Sequence, residues 1–175
     1  VISDAPCFCD YQQLDLLFPG SKFVYLDRRV EDWLPSIHML LKKMWTNLDQ
    51  KTGHFNPVLK RSFNETFKLS STTNPFDSQH LATCYQTHKE EVLSYFSKRE
   101  DFLSIDISQS GSLTTLLSFL DIAIEGIAEQ SHGTDINFPK LNIGKQVDSW
   151  KEFKHPNKVN PNSAGKEHRK FFDYK

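Results

Sequence analysis

The sequence predicts an α/β domain with a central parallel sheet and helices packed on its faces. Two short segments of strand type, Lys22 to Leu26 (KFVYL) and Phe102 to Ile107 (FLSIDI), are set apart by long helical patterns. The segments run strand, helix, insertion, helix, strand, helix, and that alternation implies parallel strands joined by crossovers. At 175 residues the chain is the size of one ordinary domain and can bury a substantial core.

Each element has its own signal. Tyr11 to Leu17 reads as a short helix closed by Pro19-Gly20. Lys22 to Leu26 is short, aromatic and β-branched, as a buried strand would be. From Glu31 to Trp45, apolar residues at Trp33, Ile37, Leu40, Leu41 and Met44 recur at helical spacing. Pro35 suits that helix only in its first turn, which predicts a start near Glu31 or later.

Asn47 to Asn74 has no clean period and reads as an irregular, substrate-facing insertion with a short helix around Val58 to Phe67. Ser78 to Arg99 carries an amphipathic stripe of Leu81, Tyr85, His88, Val92, Leu93 and Phe96. FLSIDI follows as the second strand, and Ser112 to Ile122 is a leucine-rich helix with an N-cap-like serine. The tail from Asp148 is basic and rich in Asn and Pro, which fits a loop or extended arm. The organisation is one domain over 1–154 with a basic arm over 155–175.

Composition narrows the function. Lys+Arg number 21 against Asp+Glu 22, so no global field draws the protein to nucleic acid. Aromatics at 13% with 14 Phe argue for a packed globule. The three cysteines cannot all pair, and C-x-C beside one distant Cys lacks the four-ligand zinc pattern. Seven histidines show no H-x-H or H-x-x-x-H pairing on a helix, so no metal is expected. His88 reads as a core histidine with its polar atoms satisfied. No apolar run is long enough for a membrane span. The expected compartment is cytoplasmic, or the Golgi lumen if an anchor lies upstream. Asn64-Glu65-Thr66 is a formal glycosylation acceptor, a pattern common by chance.

The chemistry concentrates where the first strand ends. Arg28 and Arg29 stand at that point, and Ser36 lies eight residues beyond Arg28 in the following helix. An arginine at a strand end and a hydroxyl at a helix start are what an α/β protein needs to hold a phosphate. Taken alone, Arg28 reads as an ordinary strand-end charge. Arg29 reads as a solvated arginine or a partner for Glu31 or Asp32.

Several ordered segments carry a resemblance. They are Asp4-Ala5-Pro6, Tyr11 and Leu14, F-P-G-S-K-F-V-Y-L-x-R ending at Arg28, and Trp33-x-x-Ser36. Further on come H-K-E-E-V-L-S-Y-F from His88, F-L-S-I-D-I, L-L-S-F-L from Leu116 and F-P-K-L-N from Phe138. The set covers most of positions 4 to 151 and resembles the PAPS-dependent sulfotransferases. That resemblance implies a three-layer αβα fold of the P-loop-like sulfotransferase type. It implies sulfuryl transfer from 3′-phosphoadenosine-5′-phosphosulfate (PAPS) to a hydroxyl acceptor, whether carbohydrate, lipid or small metabolite.

In that family an arginine after a strand and a serine eight residues on hold the donor's 3′-phosphate, and Arg28 and Ser36 match that spacing. Asp4 falls where relatives carry the base, so it becomes the candidate to take the acceptor's proton. A turn-forming Asp ahead of a proline is the other reading of Asp4. Ile143 to Lys151 (IGKQVDSWK) is similar to the family's late phosphate loop, with Lys145 either the contact or a flexible surface lysine.

One part of the pattern is missing. The family's 5′-phosphosulfate loop should lie upstream of Asp4, and 7 Gly provide neither a G-x-x-x-x-G-K-[ST] nor a glycine-rich turn before a helix. Gly20-Ser21 precedes a strand and does not serve. The expectation is a chain that is N-terminally incomplete and grips the nucleotide's 3′ side. A non-catalytic binding module or degenerate homologue is the alternative. A nucleotide kinase is disfavoured because the Walker lysine is absent.

Overall fold

The structure, a computed structural model, describes residues 3, 5–49, 51–123 and 137–138. These form α1 (Tyr11–Leu17), β1 (Phe23–Leu26), α2 (Val30–Leu48), α3 (Pro57–Phe67), α4 (Ser78–Tyr95), β2 (Phe102–Ile105) and α5 (Ser112–Phe119). The element order is the predicted one. β1 and β2 pair in parallel, with Phe23 opposite Phe102 and Leu26 opposite Ile105. One further bond extends the ladder at each end, from Phe23 N–H to Asp101 and from Asp27 N–H to Ile105, each 2.8 Å. Parallel strands need a crossover, and α2, α3 and α4 provide it.

The main core lies within that crossover. Ile37, Leu41 and Leu48 of α2 meet Phe63 and Phe67 of α3 and Leu81 of α4, with Leu41 and Leu81 wholly buried. A second aromatic group joins α4 to the sheet. Phe96, just past α4, stacks on Phe102 with centroids 4.7 Å apart and lies equally close to Phe23. Side chains on a strand alternate between its faces, so Phe23 and Tyr25 point toward α4 while Val24 and Leu26 point away.

That alternation corrects the expectation of a fully buried first strand. Among the described residues, Val24 and Leu26 remain 37% and 59% exposed. An all-apolar run reads the same whether one face or both are covered.

Pro35 is a second correction. α2 starts at Val30, which puts Pro35 in its second turn rather than its first. The interruption is tolerated on an exposed face, where solvent can satisfy the Glu31 carbonyl that Pro35 cannot reach with an N–H. The insertion helix α3 begins close to expectation, with Asn56 as N-cap accepting from Leu59 N–H at 2.8 Å and Pro57 at the first position.

Three element ends fall short of their predicted positions. α4 stops at Tyr95 rather than Arg99, because Phe96 turns into the core and Lys98 adopts a left-handed conformation at φ 65°. β2 stops at Ile105, where Asp106 accepts from the Ser108 N–H at 2.9 Å and turns the chain. α5 stops at Phe119, whose carbonyl accepts from Lys22 Nζ at 2.6 Å while Lys22 pairs with Asp121. Ser112 is not the cap of α5 either. It is the first helical residue, Gly111 at φ 77° precedes it as N-cap, and the Ser112 Oγ is buried without a hydrogen-bond partner among the described residues.

Candidate functional site

The short β1 delivers Asp27, Arg28 and Arg29 directly to the start of α2. Arg29 is the N-cap residue, extended at ψ 140°, and its side chain makes no capping bond. The positive end of a 19-residue helix therefore opens beside two guanidinium groups. Arg28 reaches along α2, and its Nη1 donates to the Ser36 Oγ in the second turn at 3.2 Å. Arg28 and Ser36 are thus brought together. Ser36 lies seven residues, about two turns, beyond the N-cap Arg29, which returns the serine to the side of the strand end.

The two arginines part company here. Arg29 Nε donates to Asp32 Oδ2 at 2.8 Å in an exposed pair. That bond holds the Asp32 carboxyl below its ordinary range and raises Arg29. Arg29 is a partner for Asp32, as one sequence reading had it. The turn after β2 faces the same spot. Bonds from the Ser108 hydroxyl and N–H lower the Asp106 carboxyl, and the Arg28 charge lowers it further.

Beneath Arg28 lies a network that sequence reasoning missed. Lys89 Nζ donates to both Asp27 oxygens at 2.7 Å, and the Arg28 N–H donates to Asp27 Oδ1 at 2.8 Å. The Tyr85 hydroxyl donates to the Arg28 carbonyl at 2.6 Å and accepts from the Arg28 N–H at 3.1 Å. The Tyr85 ring packs on Trp33 with centroids 4.5 Å apart. Burial, followed by the neighbouring Tyr85, pushes the Tyr25 phenol well up. Tyr85 and Lys89 are four residues apart on α4 and so share one face. That spacing was the available signal, but Tyr85 also fitted the apolar stripe.

The histidines take structural places. His88 Nε2 contacts the Phe8 carbonyl at 2.5 Å and its ring stacks on Tyr25, so it is a satisfied histidine. His38 lies two residues beyond Ser36, roughly 200° around the helix, and reaches Ser78 Oγ at 3.0 Å instead. Near α1, Cys9, Asp10 and Glu65 bring their ligand atoms within 4.8 Å of one another. Arg61 occupies that cluster, bonding Asp10 through both Nη atoms and Glu65 at 2.9 Å. Asp4 and Lys145 lie outside the described residues, as does the arm over 155–175.

The fold and site therefore define an α/β domain with a basic strand-to-helix turn at the carboxyl end of a parallel pair, the usual place for ligands in such sheets. A family model described as a sulfotransferase domain matches residues 1–147, most of the chain, and the protein belongs to that family. Membership supports sulfuryl transfer as the general class of reaction. No curated protein and no solved structure matches the chain significantly. No helix among the described residues is long and apolar enough to cross a membrane.

Proposed function

We propose that the protein is a PAPS-dependent sulfotransferase in which Arg28 and Ser36 hold the 3′-phosphate of the donor. The observation that carries this reading is the 3.2 Å bond from Arg28 Nη1 to Ser36 Oγ, which joins the end of β1 to the second turn of α2. The pair presents a guanidinium fork and a hydroxyl in one place. Those are the donors a phosphate dianion needs.

In this reading the acceptor is a hydroxyl on a carbohydrate, lipid or small metabolite. It attacks sulfur in line and leaves 3′-phosphoadenosine-5′-phosphate. Asp4 would take the acceptor's proton, and Lys145 would add a second cation to the phosphate. The irregular stretch around α3 would shape acceptor choice. The parallel pair is read as part of a larger sheet in a three-layer αβα sandwich, within a domain spanning 1–154 and followed by an arm. The exposed apolar face formed by Val24 and Leu26 is consistent with that larger sheet.

The test is calorimetric titration of 3′-phosphoadenosine-5′-phosphate into wild type and Arg28→Ala. Loss of a charged hydrogen-bonded contact should cost about 1.5–3 kcal/mol of binding. Equal affinity in the two proteins removes Arg28 from the site. Binding without turnover, when acceptors are supplied with PAPS, points instead to a binding module.

A further inference from the structure

The side chain of Arg28 is exposed and, among the described residues, its guanidinium hydrogen-bonds the Ser36 hydroxyl alone, yet the main chain on both sides of its Cα is firmly held. A single hydroxyl, Tyr85 Oη, engages both the N–H and the C=O of residue 28, at 3.1 and 2.6 Å. Asp27 shares the same N–H at 2.8 Å and is itself held by Lys89 through both carboxylate oxygens. Holding the N–H and the C=O on either side of the Arg28 Cα fixes the direction of its Cα–Cβ bond, and with it the arc the guanidinium can reach. The Tyr85 ring rests on Trp33, three residues before Ser36 on α2. One side chain of α4 thus sets the strand end, the arginine and the first turn of the serine's helix.

Packing alone does not require this hydroxyl. A phenylalanine would fill the same space against Trp33, whereas the Tyr85 oxygen spends its bonds on the main chain of residue 28 and stands 3.4 Å from Asp27 Oδ1. We propose that Tyr85, braced by the Asp27–Lys89 pair, is a positioning residue that aims Arg28 at the ligand's phosphate. The proposal rests on the reading of Arg28 as a phosphate contact. Small misplacements of a binding group are costly, so the hydroxyl should act on affinity without touching the ligand.

The test uses the full chain and two probes that differ only in the 3′-phosphate, 3′-phosphoadenosine-5′-phosphate and adenosine-5′-monophosphate. Tyr85→Phe should weaken the first by about three- to tenfold, the worth of one or two neutral hydrogen bonds, and leave the second unchanged. Lys89→Met should do the same more weakly. In an Arg28→Ala background, Tyr85→Phe should have no further effect, and restoring Arg28 should restore the difference. A general loss of stability would weaken both probes together and leave their ratio unmoved, which would overturn the proposal.

Amide exchange at Arg28, followed by NMR, gives a ligand-free readout, and Tyr85→Phe should lower its protection. Wild-type affinity indifferent to the 3′-phosphate would sink the phosphate reading, and with it the aiming role, even where Arg28 protection falls as expected. Retained discrimination and unchanged protection in Tyr85→Phe would sink the positioning role alone.

Discussion

Arg99 reaches back across the chain to Asp15, its two Nη atoms donating to the two carboxylate oxygens at 2.5 and 2.8 Å. The same guanidinium bonds both oxygens of Asp101 at 2.8 Å and lies over the Phe96 ring, 5.0 Å from its centroid. One residue therefore ties α1, the end of α4 and the start of β2 together. The Arg99 bonds are the main reason that Asp15 and Asp101 sit below the ordinary carboxylate range.

Depressed carboxyl values in the folded state make the network stabilising above the unfolded pKa, about 3.9. The contribution then fades as pH falls through the lower folded values. Thermal midpoints measured from neutral pH down to about pH 2 should fall steeply in that acid window for wild type. Asp15→Asn should fall less steeply there. Parallel pH profiles for the two proteins would show that the network carries no acid sensitivity.

Leu81 is wholly buried where α4 crosses α2 and α3, in the cluster with Leu41 and Phe67. Leu81→Ala should cost about 2–5 kcal/mol, the lost transfer energy plus that of the cavity left behind. Urea unfolding followed by tryptophan fluorescence measures it directly. A cost below about 1 kcal/mol, far under the usual range for such sites, would mean that the three helices are not packed as described.

The order of elements was legible because helices and strands announce themselves by local periodicity. The pairing of Arg28 with Ser36 was legible for a similar reason, since both residues lie on one continuous strand-turn-helix unit. Asp27, Tyr85 and Lys89 were not. Their contacts join residues 57 to 62 positions apart, and a tyrosine in an apolar stripe looks like core until its hydroxyl is seen on the backbone. The open face of β1 was hidden because FVYL is apolar on both sides. The early ends of α4 and α5 came from left-handed Lys98 and Asp121, neither of them the glycine that usually marks such a conformation.

Arg28 and Arg29 are neighbours with opposite fates, and their variants should differ accordingly. Arg29 is committed to Asp32 on the surface. An exposed pair of that kind contributes little, so Arg29→Ala should leave affinity for 3′-phosphoadenosine-5′-phosphate nearly unchanged. Ser36→Ala removes the hydroxyl that meets Arg28 Nη1 and should weaken binding by about 1 kcal/mol, less than Arg28→Ala. Calorimetry on the three single variants establishes the ranking. A larger loss for Arg29 than for Arg28 would exchange their assignments.

Pro35 sits inside α2, exposed and unable to donate to the Glu31 carbonyl one turn back. Alanine there would restore that bond and suit a helix interior, where proline is worse than alanine by about 3 kcal/mol. Part of the gain is returned because proline also restricts the unfolded chain, an effect of about 0.4–1 kcal/mol. Pro35→Ala should therefore stabilise the fold by about 2–2.5 kcal/mol in urea unfolding. Ser36 is placed by the helix on either side of the proline, so affinity for 3′-phosphoadenosine-5′-phosphate should hold. A stabilised variant that binds less tightly would instead mean that the broken turn is needed to set the angle between Ser36 and Arg28. A destabilised one would show that the ring fixes the entry of α2 more than its missing bond weakens it.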